Sequence, residues 1–322
     1  TIIENRKNSN YKSIFDLTKR IDLRAANKKT LENLALAGAL DSFGESHRAQ
    51  YFLTDGDGLI FLEKAIKFGS KFQENLNSSQ INLFGDDSKV QIGEVNLPDC
   101  DRWTNLEKLK KEKEVVGIYI SAHPLDDFQR EMKYFSSASL LDLVDLDKLV
   151  NKELSFGGII NEVTHLQARN GKGWGKFLLE DFKDQYEFKI FGEEYLKFKH
   201  FLVVNQFIRI KILVREGWIN RETGRKSDPR IQFNNFEQLQ DTINLNTKKL
   251  TLQLKIQELN DQEIIELSSL LKKFKGNKSL NFDLFEPKED IKLNLSSIKQ
   301  KIEINNDLLD KLEEREIHYK IN

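Results

Sequence analysis

The stretch 154-LSFGGIINEVTHLQARNGKGWGKFLLEDF-182 is where the spacing of apolar residues changes from helical to alternating. Alternation is the period of a strand, because successive side chains point to opposite faces. The same period continues in 185-QYEFKIF-191, 205-NQFIRIKILV-214 and 230-RIQFNNFEQL-239, with a short helical segment, 192-GEEYLKFKHFL-202, between the third and fourth runs. In the fourth run Ile208, Ile210, Ile212 and Val214 fall on one side and Arg209, Lys211 and Arg215 on the other, so the first set is predicted to be core. Five strands with a helix between the third and fourth is the element order of an OB-fold β-barrel.

Two connectors of this unit combine aromatic and basic residues. The first holds Trp174 with Arg169, Lys172 and Lys176, and the fourth holds Trp218 with Arg215, Arg221, Arg225, Lys226 and Arg230. A ring on which a base can stack, beside cations that neutralise phosphates, suits single-stranded nucleic acid. The competing reading is that each Trp plugs a barrel end and the cations are ordinary loop residues.

Upstream, the chain reads as helical. In 12-KSIFDLTKRIDL-23, Ile14, Leu17 and Ile21 recur at helical spacing, and 27-NKKTLENLALAGAL-40 starts at a plausible N-cap, Asn27, and stops at Gly38. A further helix begins in 46-SHRAQYF-52. Two short helices meeting at Gly38 and Ala39, with Lys28, Lys29 and Arg48 nearby, form a helix-hairpin-helix candidate whose free backbone N–H groups could hold a phosphate. An ordinary helical pair with a glycine C-cap fits the same pattern. The turn 55-DGDG-58 lacks the further oxygen ligands of a calcium loop and is predicted to be a turn and helix cap before a long helix from Leu59. Thr104 and Glu107 form a capping-box pattern for another helix, which ends near 117-GIYISAHPLDDF-128. Downstream, a strand at 250-LTLQLKI-256, a helix capped by Asn260 and Glu263, strands at 279-SLNFDLFE-286, 291-IKLNLSS-297 and 301-KIEIN-305, and a last helix at 307-DLLDKLEER-315 make a small α+β domain.

The chain of 322 residues is long enough for two or three domains. Its net charge of -1 is unevenly distributed: nine Lys or Arg against six acids from Thr1 to Gln50, fourteen against ten from Leu154 to Phe236, and five acids against one Lys from Asp86 to Asp101. Two mildly basic units joined by an acidic connector remain compatible with nucleic-acid binding. No apolar run approaches the length of a membrane span, so no membrane partner is expected. Cys100 is the only cysteine, and the N-terminus lacks the pattern of a secretion signal, which together suit a cytoplasmic protein. Because the chain opens on Thr1, a piece of a longer protein is expected.

No catalytic constellation emerges. The histidines His47, His123, His165, His200 and His318 have no metal-ligand spacing, and there is no P-loop, nucleophile elbow or dinucleotide fingerprint. Asp145 and Asp147 have the spacing of a two-metal carboxylate pair but no third carboxylate beside them, so a solvated face is expected.

Taken in order, 22-DLRAANKKTLENLALAGALDSFG-44, 79-SQINLFG-85, 117-GIYISAHPLDDF-128 and the five-stranded unit resemble the C-terminal part of the bacterial DNA polymerase III alpha subunit, a C-family replicative polymerase. The resemblance implies a chain without the PHP domain, the palm and its aspartates, the thumb and most of the fingers. Such a chain is inactive alone in nucleotidyl transfer, with no cofactor of its own and Mg²⁺ belonging to the absent palm. It implies an α+β multidomain chain: a helix-hairpin-helix region (1–77) holding primer-template DNA, a clamp-binding and acidic connector (78–102), a helical linker (103–153), an OB-fold (154–240) near single-stranded DNA, and a C-terminal α+β domain (241–322) contacting the tau subunit of the clamp loader. It also makes Gln80, Leu83 and Phe84 the peptide that grips the beta sliding clamp, with the Leu-Phe pair buried on that partner. Leu40 departs from the family pattern, standing where many such hairpins have a second glycine. Two alternatives stay open: a scaffold whose barrel does not touch DNA, and an unrelated OB-fold RNA-binding module.

Overall fold

The computed structural model describes residues 1–44, 46–79, 96–219, 226–286 and 291–322. The chain divides into two compact units, Thr1–Pro124 and Leu125–Asn322, so the expected linker 103–153 is shared between them.

The first unit is helical: α1 (Ile2–Asn8), α2 (Ile14–Arg20), α3 (Lys28–Leu36), α4 (Arg48–Phe52), α5 (Phe61–Ser79) and α6 (Asn105–Val116). Its core is built from the apolar stripes of these helices, with Leu17, Ile21, Leu31, Tyr51, Leu62 and Phe68 all buried. Local chemistry places the helix starts. The Asn27 side chain accepts from the Thr30 N–H at 3.0 Å, and Thr104 Oγ1 accepts from the Glu107 N–H at 3.2 Å. At the DGDG turn, Asp55 Oδ1 accepts from the N–H groups of Asp57 and Leu59, and Lys64 pairs with the same carboxylate. The turn expectation therefore holds there, and the helix starts two residues later than expected, at Phe61. A left-handed Gly117 ends α6.

The second unit begins with α7 (Gln129–Phe135) and continues into β1 (Glu153–Gln167), β2 (Gly173–Glu180), β3 (Gln185–Phe191), α8 (Gly192–Phe198), β4 (Phe207–Arg215) and β5 (Arg230–Gln238). These strands form one antiparallel sheet in the order β3-β2-β1-β4-β5. Every strand of the expected five is present, and the helix lies between the third and fourth. The closed barrel is not. Among the described residues no ladder joins β3 to β5, and they remain the sheet's two edges. The sheet nevertheless rolls, because the inward rings of those two edge strands share one core: Phe188 and Phe233 lie 5.8 Å apart, and Phe177 of β2 stacks on Phe188 at 5.2 Å. Side-chain packing, rather than backbone pairing, brings the edges together. Gly157 lets α7 lie against β1, since a Cβ there would stand 2.3 Å from Met132 Sδ.

After α9 (Thr242–Asn246), the chain forms β6 (Lys249–Lys255), α10 (Asp261–Lys273), β7 (Lys275–Glu286), β8 (Ile291–Ser296), α11 (Asn306–Glu313) and β9 (His318–Ile321). The sheet order is β8-β7-β6-β9, with β6 and β7 parallel through the α10 crossover. The capping box at Asn260 and Glu263 is formed. The segment 301–305 is not a strand; its Ile302 makes only isolated bridges to Lys275 and Lys278.

Candidate nucleic-acid interface

The outward face of β1, β2 and β3 is set by register. Leu166 pairs with Trp174, which pairs with Phe191; one row on, Thr164 pairs with Lys176, which pairs with Lys189. Trp174 and Phe191 stack, with ring centroids 5.2 Å apart and planes 19° from parallel. Phe191 is 54% exposed, an unusual state for a ring that size at a strand end. Lys176 Nζ lies 2.9 Å from Glu187, and Lys189 lies 4.0 Å from the same carboxylate. The hydrogen bond from Lys176 holds Glu187 below the usual carboxylate range and raises Lys176. Lys176 is thereby held in its charged form, and one acid, Glu187, stands between it and Lys189.

Across the open seam, a cleft of about 520 Å³ is lined by Tyr186, Lys189 and Phe191 on β3 and by Arg230, Ile231 and Gln232 at the start of β5. Arg215 Nε donates to Gln232 Oε1 at 2.9 Å, which carries a second cation toward that cleft. The structure thus gathers Trp174, Lys176 and Arg230 around Lys189 and Phe191, while Arg215 is held by Gln232 of the cleft wall. Phe191 and Lys189 were not singled out by sequence; the two-residue alternation of QYEFKIF puts them on the outward side, but only register shows what they face.

The remaining expected residues sit on connectors. Arg169 and Lys172 are exposed on the turn closed by the Ala168 N–H to Lys172 carbonyl bond of 2.9 Å. Trp218 is 66% exposed and packs no barrel end, which answers the plug reading for this residue. Lys226 is exposed and lies 3.6 Å from Glu216. Arg221 and Arg225, and the whole set Gln80, Leu83 and Phe84, lie outside the described residues.

The hairpin forms between α3 and α4 as expected, but several of the groups expected to meet a phosphate there have partners within the chain. The Ala39 N–H donates to the Leu34 carbonyl at 2.9 Å and the Gly38 N–H to that of Ala35 at 3.2 Å. Two of the donors a phosphate could use are thus occupied in capping α3. Arg48 is only 5% exposed, and its guanidinium donates to Asp41 from Nε and Nη2, to the Leu36 carbonyl at 3.0 Å and to Glu112 at 3.1 Å. It holds the hairpin together and presents no charge to solvent. Lys28 is tied to Glu63 at 2.7 Å, while Lys29 and Ala39 are exposed.

Glu112 is fully buried and accepts from the Ile120 N–H, the Ser121 N–H and the Ser121 hydroxyl at 2.6 to 2.7 Å, as well as from Arg48. Burial alone would raise its pKa, but the hydrogen bonds together bring it to about 2. The most specific stretches of sequence, ALDS and ISAHPLD, are therefore physically joined: Asp41 to Arg48, Arg48 to Glu112, Glu112 to Ser121. Gly38 has φ of +84°, and a Cβ on it would stand 2.0 Å from Arg48 Nη2. Gly38→Ala is expected to cost about 1 kcal/mol or more, through backbone strain and displacement of Arg48; a urea melt of the full chain checks this.

Among the described residues no cluster of His, Cys, Asp and Glu is suited to a metal, and no helix is long and apolar enough to cross a membrane. Asp145 is paired with Lys148 at 2.8 Å.

Two family models match the chain. One, described as the DNA polymerase III alpha subunit, C-terminal domain, matches residues 250–322; the other, a helix-hairpin-helix motif, matches residues 1–51. Among curated proteins, the DNA polymerase III subunit alpha of Borreliella burgdorferi is 27% identical over 97% of this chain and 26% of its own length. That of Campylobacter jejuni is 30% identical over 59% of this chain and 15% of its own, and that of Pseudomonas fluorescens 24% identical over 89% and 24%. The chain thus spans about a quarter or less of the relatives it matches.

Proposed function

This chain belongs to the DNA polymerase III alpha-subunit family, in its C-terminal part, and on that premise we propose that it is a DNA-binding and tethering portion of a replicative polymerase. The rolled sheet is read as an OB-type module, and its ligand is single-stranded DNA. The observation that carries this is the outward Trp174–Phe191 stack with Lys176, Lys189 and Arg230 around it. Stacking takes any base by its π-face, and the cations take the phosphates, so binding is tolerant of sequence and steeply dependent on salt.

Trp174→Ala and Phe191→Ala are each expected to weaken binding of an oligodeoxythymidylate by about 1 to 3 kcal/mol with the fold intact. Fluorescence anisotropy beside circular dichroism measures both. Unchanged affinity in both variants removes the reading. Gln80, Leu83 and Phe84 are proposed to hold the beta sliding clamp, and residues 241–322 the tau subunit of the clamp loader. For the first unit, a protein-joining role is the second reading, favoured by the occupied hairpin donors and the buried Arg48.

A further inference from the structure

The second sheet of the chain has one face packed on α10 and α11 and one face open. The packed side carries Leu250, Leu252, Leu280 and Phe282 against Leu267, Leu271 and Leu308. On the open side, register aligns the residues in rows across the strands. One row runs Lys255–Phe285–Lys292. The next places Gln253 and Asn294 on either side of Asp283 and ends at His318, and the one after it ends at Lys320.

Two features separate this face from an ordinary solvated one. First, Phe285 is a large ring, only half-buried, on the side away from the apolar core, and Lys292 Nζ sits 5.4 Å from its centroid. An aromatic residue on a polar sheet face gains nothing from the core. Second, the described strand residues of this face carry four lysines, counting Lys249 at its margin, against one acid, Asp283. Lys255 is tied to Glu258 at 2.7 Å, whereas Lys249, Lys292 and Lys320 form no ion pair among the described residues. A hollow of about 510 Å³ lies over Phe285, bordered by Lys255, Lys292, Asn294, His318 and Lys320.

We infer that this open face of the C-terminal sheet binds a single-stranded polynucleotide, with a base on Phe285 and phosphates on Lys292 and Lys320. The chemistry follows from the rows. The ring offers a stacking surface, lysines stand beside it as point charges for successive phosphates, and Gln253 and Asn294 offer amides to base edges. An open sheet face admits an unpaired strand laid across it, whereas a duplex would present only its backbone. The site is separate from the Trp174–Phe191 stack, and neither depends on the other.

The test uses the full chain, first unaltered and then in a Trp174→Ala background, so that failure here is distinguishable from failure of the rolled-sheet reading. Fluorescein-labelled oligodeoxythymidylate and oligouridylate are the probes. In that background, Phe285→Ala is expected to weaken residual binding about tenfold. Lys292→Glu with Lys320→Glu should weaken it at least as much and reduce the salt slope by about 1.4, the contribution of two phosphate contacts on a single strand. Ultraviolet crosslinks of either probe should map to residues 275–286. Retained affinity in both variants, absence of any residual binding in the Trp174→Ala background, or capture of an acidic peptide with no crosslink to the sheet each overturns the proposal. Lys292 and Lys320 are exposed, so their changes leave folding intact, and Phe285→Ala supplies an independent arm.

Discussion

Glu112→Ala is expected to destabilise the first unit by about 3 to 5 kcal/mol, the usual cost of removing one partner of a buried ion pair. The change leaves the N–H groups of Ile120 and Ser121 without an acceptor and leaves Arg48 with Asp41 as its only carboxylate. Hydrogen exchange of the α3 amides against urea reads the effect in this unit alone. Unaltered protection would mean that Asp41 suffices for Arg48. The same carboxyl predicts a pH dependence. Its folded pKa of about 2 lies below the ordinary 4.5, so its stabilisation is fully present above about pH 4.5 and is lost as pH falls toward 2. The shift corresponds to about 3 kcal/mol at neutral pH. Glu112→Gln should therefore flatten the acid limb of the stability curve, and a limb of unchanged steepness would assign it to other carboxylates.

The second large effect is expected at Leu83 and Phe84. If they anchor the chain on the beta sliding clamp, Leu83→Ala with Phe84→Ala abolishes clamp binding, since paired anchors at an interface commonly cost on the order of 2 kcal/mol or more each. Oligonucleotide affinity and melting temperature should not change. Were the pair part of this chain's own core, the double variant would melt early instead, because truncating large core residues costs roughly 2 to 5 kcal/mol apiece. A clamp pull-down beside a melting curve separates the two, and a destabilised variant that still bound the clamp would sink the assignment.

Much of the fold was legible because its signals are local. Asn27 and Asn260 cap the helices they precede in sequence, and Ile208, Ile210 and Ile212 of FIRIKILV are buried as expected, although Arg209 between them is buried too, paired with Glu237. What was not legible depends on partners distant in the chain. Arg48, beside a glycine hairpin, reads as a phosphate ligand; its burial depends on Glu112, which comes from another helix. Phe191 reads as one more strand residue, and only pairing with Trp174 makes it part of a platform. The short strand β9, at the chain's end, is too brief and too polar to stand out from its neighbours. Trp174 and Trp218 stood out in the sequence because tryptophan beside several cations is a compositional signal; Trp174 is half-buried and Trp218 exposed.

The rolled sheet has a kinetic consequence. Its edges meet only when Phe188 and Phe233, distant along the chain, settle into one core, and among the described residues no backbone ladder assists them. Closing such a loop loses entropy before the contact rewards it, so the seam between β3 and β5 should close late in folding. Until it does, the inward rings of β3 and β5 are unburied beside two strand edges on which another chain's strand could add. Refolding of the second unit is therefore expected to be slow and concentration-sensitive. Aggregation during that interval should fall when refolding is carried out at high dilution.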